Sequence, residues 1–521
     1  MEIIADTAIK ASLPKAMAED VLARIFKSQR HPDNDVMIYW GYEEAMWLAH
    51  FIDQKAPNEI PQVPSPMLRD YKWPGILTPF EHQKTTASFL SLRTRAFCFN
   101  EAGTGKTSAA IWAADYLMNM GLVNRVLVVC PLSIMYTAWQ AEVLKTAMHR
   151  SCGVAYGTAD RRTKIITGSY SFVIINYDGV NVVADAISNA GFDLIIIDEA
   201  NAYKNTSTRR WKTIAKLVSP STRIWMMTGT PASQSPVDAF GLAKLVSSYR
   251  VPKFMTAWRD KVLYQVSRFK WVPKPTAKSD VFYALQPAIR FTKKECLDLP
   301  PVVYETRDVP LTPQVANYYK KLKAQMLIEA AGEEISAVNA AASMSKLLQI
   351  SGGAVYTDKH DIVEFDISPR LTVLEEVLEE TTNKCIVFVP YLHTIEVVTK
   401  HLDAHGYTNA VIKGDVGAKA RADIIDKFQR DTDPRVLVLQ PQAASHGITL
   451  TAADTLVFWS PVLSVETFLQ CIGRVDRVGQ VNKVLVVMLQ GSDIERKTYA
   501  ALRGKIDGHI QLTELYKQVM E

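Results

Sequence analysis

Residues 96–121 read AFCFNEAGTGKTSAAIWAADYLMNMG, and their order decides the fold. An apolar run gives way to a glycine-bearing turn, and the turn to a stretch of helical periodicity that closes at Gly121. Strand, glycine loop and helix in that sequence aim free backbone N–H groups at a helix N-terminus, where phosphate is held. Gly103 and Gly105, on either side of Thr104, let the backbone close around phosphate oxygens. Lys106 reaches the β- and γ-phosphates, and Thr107 suits Mg²⁺. Asn100 stands where the strict pattern has glycine.

Outward from this loop, LIIIDE at 194–199 ends an apolar run in two adjacent carboxylates. Asp198 suits the metal shell and Glu199 the orientation of attacking water, since phosphoryl transfer needs charge neutralisation and an in-line nucleophile. Apolar runs at 125–130, 172–176 and 223–227 accompany it, alternating with helical periodicity as strands buried on both faces do. A second series follows at 385–389, 410–412, 435–439, 455–459 and 484–488. The chain is therefore read as α/β, with two parallel-sheet lobes in series. Lobe 1 is assigned to 71–245 and lobe 2 to 366–490. Between them 246–365 lacks strand spacing and is read as helical protrusions. Residues 1–70 form a small N-terminal region, and 491–521 a bracing helix. Within the former, VMIYWGYEEAMWLAHFI reads either as a DNA-sensing or lobe-bracing strand and helix, or as a core hairpin or helix.

Composition narrows the class without naming a partner. The 521 residues are 48% hydrophobic and 22% charged, which excludes disordered and collagen-like classes. Six scattered cysteines form no CxxC pair or disulfide framework, and no signal-like start or membrane-length apolar run appears. A soluble, cytoplasmic protein with no membrane partner is expected. The formal charge of +5 is too small to mark a basic nucleic-acid binder. It is unevenly spread, because 250–278 alone carries +7, with Lys270 and Lys274 interleaved among Trp258, Tyr264 and Trp271. That segment is either a nucleic-acid surface with stacking residues or a packed insertion with solvated lysines.

Near the end of lobe 2, QCIGRVDRVGQ at 470–480 places Arg474 and Arg477 one helical turn apart, with Gln470 a turn earlier. Two arginines in a second lobe, following a phosphate loop and an acidic pair in the first, are arginine-finger candidates. They would answer γ-phosphate charge when the lobes close, the property of a nucleic-acid motor.

In this order the motifs resemble those of the Swi/Snf-type ATPases of helicase superfamily two, across about residues 77–500. LTPFEHQ is similar to the segment whose glutamine contacts adenine, implying Gln83; NEAGTGKT resembles motif I; and VCPLSIMYTAWQAEVLK, with Pro131, Ser133 and Trp139, resembles motif Ia. IINYD, around Asn176 and Tyr177, is similar to motif Ib, DEANAYKN with Lys204 and Asn205 to motif II, and MMTGT with Thr228, Gly229 and Thr230 to motif III. RFTKKECLDLPP resembles the family's basic stretch, KCIVFVP motif IV, QAASHGITLTAAD with Gly447, Leu450 and Ala453 motif V, and 470–480 motif VI. Asn201 replaces a histidine that couples nucleotide state to motif III, and an amide can hydrogen-bond but cannot titrate. Asp476 and Thr449 also depart from the family's usual histidine and asparagine. Compact length and motif wording look nearest to small phage-encoded members and the annealing-helicase branch, which would place the protein in a host cytoplasm if phage-encoded.

The resemblance implies two tandem RecA-like lobes using ATP and Mg²⁺. Lys106, Asp198, Glu199, Arg474 and Arg477 would be catalytic; Gln83, Gly103, Thr104, Gly105, Lys106, Thr107 and Gln470 would bind nucleotide; Thr107 and Asp198 would hold metal. It implies duplex tracking through phosphate contacts from Ser133, Thr228 and Thr451, and the basic segment adds Lys270 and Lys274. The expected function is an ATP-dependent double-stranded DNA translocase remodelling branched or protein-bound DNA in replication, recombination or repair. It would bind without sequence preference and act as a monomer, with replication or recombination proteins as potential partners. A strand-separating DNA or RNA helicase and an ATP-switched DNA clamp or scaffold are the alternatives.

Overall fold

The computed structural model describes residues 1–55, 62–232, 235–267, 270–296, 299–332, 337–356, 362–445 and 448–517. The chain divides into two units, one of Met1–Cys296 with Gly508–Glu521, the other of Leu297–Asp507. No helix among the described residues is long and apolar enough to cross a membrane.

The first unit is built on a seven-stranded sheet, ordered Ala288–Ile289, Arg95–Cys98, Arg223–Met227, Leu194–Ile197, Val126–Cys130, Phe172–Asn176, Cys152–Ala155. All its pairings are parallel. The apolar runs become strands buried on both faces, because successive side chains point to opposite sides and helices cover each. Phe97, Val129, Ile195 and Ile197 enter one core; Cys98, Val128, Leu194 and Ile196 enter the other. Five strands that carry motifs lie side by side, so the loops leaving their C-terminal ends gather at one edge of the sheet. In an open α/β sheet ligands bind there.

The N-terminal residues fold as a four-stranded antiparallel sheet, ordered Glu2–Ala5, Ala8–Ala11, Val36–Tyr39, Ser28–Arg30, around a core that includes Ile9, Ile38, Trp40, Leu48 and Phe51. VMIYWGYEEAMWLAHFI is a strand followed by the helix Tyr42–Lys55. This region is keyed to the rest of its unit by a bidentate Arg93–Asp53 pair at 2.9 and 3.0 Å and by Tyr42 donating to the Ser91 carbonyl at 2.8 Å.

The second unit holds a six-stranded sheet, ordered Val302–Asp308, Val484–Gln490, Ala453–Phe458, Lys384–Phe388, Val436–Leu439, Asn409–Ile412, again with parallel pairings. The two sheets with their covering helices are tandem RecA-like α/β folds.

Residues 246–365 depart from the expectation of helices without strands. Ala288–Ile289 and Val302–Asp308 are edge strands of the two large sheets, and the same stretch also forms two antiparallel pairs, Leu263–Ser267 with Lys270–Pro273 and Ala354–Tyr356 with Ile362–Glu364. A two-residue strand has no periodicity to read. VVYETRD carries the charges that suit an edge, unlike the apolar runs of the interior. The expected helices are present as Pro313–Gly332 and Ala337–Gly352.

Candidate nucleotide-binding site

The glycine loop takes the form its sequence requires. Gly103 and Gly105 have φ of 89° and 78°, in the left-handed region that disfavours a side chain, and Gly105 is the N-cap of the helix Lys106–Asn119. A Cβ on Gly105 would overlap the Gln83 amide, so Gln83 leans against the loop. Its Oε1 accepts from the Phe80 N–H at 2.9 Å, fixing the start of the helix Glu81–Ser91, and His82 Nε2 lies 2.8 Å from the Thr104 carbonyl oxygen. The Thr104 hydroxyl and the Lys106 ammonium both donate to the Glu101 carbonyl, at 2.8 and 3.2 Å.

Asn100, the departure from the strict glycine pattern, is 1% exposed and fully used. Its amide donates to Thr86 Oγ1 at 2.8 Å and its oxygen accepts the Phe291 N–H at 2.9 Å.

Asp198 and Glu199 follow the strand Leu194–Ile197. Asp198 Oδ2 accepts from the Trp139 indole at 2.9 Å, and its Oδ1 from the Glu199 N–H at 3.0 Å. Burial pushes the Asp198 carboxyl above its ordinary range, opposed by the Lys106 ammonium and by these two hydrogen bonds. Trp139 sits in a π-helical turn, Met135–Gln140, a form found often at functional sites. Glu199 has φ of +47°, an uncommon backbone for a residue with a side chain. The Tyr177 hydroxyl braces it, 2.7 Å from the Asp198 carbonyl oxygen and 3.2 Å from that of Glu199.

Asn201 donates to the carbonyl and hydroxyl oxygens of Thr230, at 2.9 and 3.1 Å, so the loop after the acidic pair is tied to the TGT turn. Lys204 pairs with Asp238 at 3.2 Å, and Asn205 Oδ1 accepts from the Ser207 N–H. Thr228 differs from the expected phosphate contact. It is fully buried, and its hydroxyl accepts the Thr230 N–H at 3.3 Å, closing the turn rather than facing outward. Ser133 Oγ is buried without a hydrogen-bond partner among the described residues.

Sequence reasoning missed Arg290. It is 4% exposed and donates to the Phe99 carbonyl at 2.6 Å, to that of Gly229 at 3.3 Å and to Glu101 Oε1 at 3.1 Å. Glu101 Oε2 accepts the Lys293 N–H at 2.9 Å, so RFTKKE is fastened beneath the phosphate loop. The available signal was a basic residue closing an apolar stretch, which by itself does not distinguish a buried arginine from a solvated one.

In the second unit the helix carrying Gln470 is Val465–Ile472, capped by Gly473. Arg474 and Arg477 therefore lie past its end, in successive turns, and the expected common helical face does not exist. Arg474 is 8% exposed with its carbonyl accepting the Leu450 N–H at 2.9 Å; Arg477 donates to the Ile448 carbonyl at 3.2 Å. Both arginines are thus bound to motif V. Gln470 Nε2 is 3.4 Å from Glu466 Oε1, and Thr451 Oγ1 accepts from Gln429 at 3.3 Å. Gly447 lies outside the described residues.

The basic segment is divided between packing and exposure. Trp258 is fully buried and donates to the Pro236 carbonyl; Arg250 is 5% exposed and bonds the Asp53 carbonyl. Lys261 pairs with Asp280 at 3.0 Å, Arg259 lies over the Trp271 ring, and Lys274 donates to the Asp260 carbonyl at 2.5 Å. Phe254 and Tyr264 remain exposed. The Lys270 side chain, like Arg268 and Phe269, lies outside what is described.

A glycine loop on a helix N-terminus, an acidic pair on the neighbouring sheet edge and a turn that joins them, followed by a second parallel-sheet unit, define a two-lobed P-loop ATPase. The chain belongs to the SNF2-related family. The SNF2-related domain matches residues 82–358, and the helicase conserved C-terminal domain matches 369–479. Protein p41 of Acyrthosiphon pisum secondary endosymbiont phage 1 is 26% identical over 425 residues, 76% of this chain and 88% of the phage protein. The human DNA annealing helicase and endonuclease ZRANB3 is 24% identical over 431 residues, 78% of this chain; the chain spans only 37% of that relative's length. The solved Sulfolobus solfataricus SWI2/SNF2 ATPase core in complex with dsDNA is 20% identical with a TM-score of 0.42, the likeness covering 86% of this chain and 98% of that one.

Proposed function

We propose that this protein is an ATP-dependent double-stranded DNA translocase that remodels branched or protein-bound DNA during replication, recombination or repair. The observation that carries this reading is the Asn201–Thr230 link, which ties the loop bearing the acidic pair to the turn after the adjacent strand. A change at the phosphates is then transmitted along the edge of the sheet, as a motor requires. Membership in the SNF2-related family and the annealing-helicase name of the human relative support the same reading.

In this scheme Lys106 and the N–H groups around Gly103, Thr104 and Gly105 hold the phosphates of ATP, Gln83 adjoins the base, and Gln470 belongs to the nucleotide-binding set. The residues suit Mg²⁺: Asp198 is a buried carboxylate held in place by Trp139, beside an ammonium, and Thr107 opens the helix behind the loop. Bound there, the ion would neutralise charge on the phosphates. Glu199 orients water, and Arg474 and Arg477 stabilise the transition-state charge, a contribution of about a thousandfold or more where such fingers are measured. Ser133, Thr451, Lys270 and Lys274 are proposed to meet the DNA backbone without reading sequence.

ATPase rates of the full chain with linear duplex, single-stranded, forked and four-way DNA, and with RNA, test the proposal. Stimulation by duplex with triplex displacement in the same samples supports translocation. Stimulation by single strands alone would assign a strand-separating helicase, and no stimulation an ATP-switched clamp. Lys106→Ala should abolish hydrolysis; retained turnover would overturn the site.

A further inference from the structure

Away from the nucleotide residues, three side chains in the second unit converge on one point. Glu375 lies on the helix Ser368–Glu380; His401 lies in the last turn of the helix Leu392–Ala404, and His405 caps that helix. Spacing of four residues puts both imidazoles on one side of their helix, and their ring centroids are 4.2 Å apart. His401 Nε2 is 3.0 Å and His405 Nε2 is 3.3 Å from the same oxygen, Glu375 Oε1. All three atoms lie within 4.8 Å of one another.

Two further observations separate this from an ordinary ion pair. Glu375 Oε1 and His401 Nε2, though close, are both buried and make no hydrogen bond among the described residues. They are near without being aligned as donor and acceptor, as lone pairs aimed at a common third point would be. The other nitrogen of His405, Nδ1, lies 2.8 Å from the His401 carbonyl oxygen. A carbonyl only accepts, so Nδ1 donates to it, and in the neutral ring Nε2 is left to present its lone pair inward, the supporting bond that metal-binding histidines ordinarily have.

We propose that Glu375, His401 and His405 form a binding site for Zn²⁺, clasping the two helices that flank the strand Lys384–Phe388. Two imidazoles and a carboxylate are borderline-soft donors suited to this ion, and bonds of about 2.0–2.1 Å in a tetrahedron separate neighbouring ligand atoms by about 3.3 Å. The observed 3.0 and 3.3 Å separations leave room for such an ion after small side-chain shifts. The fourth position is left to water. None of its ligands belongs to the nucleotide-binding set, so the ion would bridge the two helices rather than act on nucleotide.

The test uses the full-length chain without a histidine tag, stripped with chelator and titrated with ZnCl₂ by calorimetry in the presence of excess Mg²⁺. One equivalent should bind, and Zn²⁺ should raise the melting temperature by a few degrees. Co²⁺ in its place should give the visible absorption of a tetrahedral complex. His401→Ala, His405→Ala and Glu375→Gln should each weaken binding at least tenfold and abolish the thermal shift. Glu375→Gln keeps the side chain's shape, so an unchanged melting temperature in chelator shows that its fold is intact. Absence of binding to the folded parent, or the same stoichiometry and affinity in the His401→Ala/His405→Ala double variant, would overturn the proposal and leave a histidine–carboxylate pair.

Discussion

Asn201 donates one side-chain amide to two oxygens of Thr230, carbonyl and hydroxyl, at 2.9 and 3.1 Å. A histidine in this place could make such a bond in only some protonation states, whereas an amide makes it at any pH. Asn201→Asp replaces the donor with a carboxylate facing two oxygens, and Asn201→Ala removes it. Nucleotide affinity should stay within about threefold in both, while DNA-stimulated turnover falls tenfold or more, further in Asn201→Asp than in Asn201→Ala. Fluorescent-nucleotide binding beside steady-state ATPase measures the two effects, and an equal loss in both assays would show the link to be merely structural.

Gly105 combines a φ of 78° with the nearby Gln83 amide. Gly105→Ala therefore suffers twice, from left-handed backbone at about 1 kcal/mol or more and from steric overlap. Removing the overlap with Gln83→Ala should not rescue it, because the backbone strain persists. ATP binding by calorimetry should be lost in Gly105→Ala and in the double variant, but only weakened in Gln83→Ala. Recovery in the double variant would mean that crowding alone had been responsible.

Arg290, directly after the two-residue edge strand Ala288–Ile289, holds Phe99, Gly229 and Glu101 together. Arg290→Met keeps most of the buried volume but leaves two carbonyls and a carboxylate without their donor. Glu101 is a third exposed, so water recovers part of that loss, and about 2 kcal/mol of stability should disappear. Urea denaturation followed by tryptophan fluorescence would measure it, with a matching fall in nucleotide affinity because the loop's floor has been loosened.

The difference between Arg290 and Lys106 shows what the sequence could disclose. Runs such as LIII and VLVVC read as doubly buried strands because they are short, unbroken by polar residues and rich in β-branched side chains, and the loops at their ends are placed with them. The glycine loop was legible because its backbone demands glycine at particular positions. Asn201 was visible as a departure and the resemblance pointed it toward motif III, but the atoms it bonds were not legible, because hydrogen bonds between loops of adjacent strands leave no spacing in the chain. Ala288–Ile289 was too short to show a period, so Arg290 beside it resembled the lysines that follow. Arg474 and Arg477 were assigned one helical face because i, i+3 spacing looks the same in a helix and in consecutive turns; the C-cap at Gly473 decides between them.

Arg370 and Glu495 form a doubly hydrogen-bonded pair at 2.8 and 2.9 Å, 2% and 0% exposed, and Glu495 also accepts the Ser492 N–H at 2.9 Å where the helix Asp493–Lys517 begins. Breaking it strands a buried charge, so Glu495→Ala should cost about 3–5 kcal/mol. Glu495→Gln, which keeps the acceptor oxygen for the helix N-terminus, should cost less. Thermal unfolding of both variants checks the order, and a reversal would mean that capping contributes little.

Asp198 supplies a prediction in pH. Burial raises its carboxyl above the ordinary value near 3.8, against the pull of Lys106, so the folded chain keeps this proton longer than the unfolded chain does. Where the native state binds more protons than the unfolded one, stability falls as pH rises. The parent should therefore lose stability from this group as pH climbs from the unfolded carboxylate value through the raised one, and no further beyond it. Asp198→Asn never ionises and escapes that loss. Its melting temperature relative to the parent should rise across that window and level off above it, while its ATPase should stay at background throughout if the carboxylate has the proposed metal-holding role. A difference that is flat in pH would show that Lys106 and the hydrogen bonds cancel burial at this carboxylate, and one that narrows as pH rises that they outweigh it.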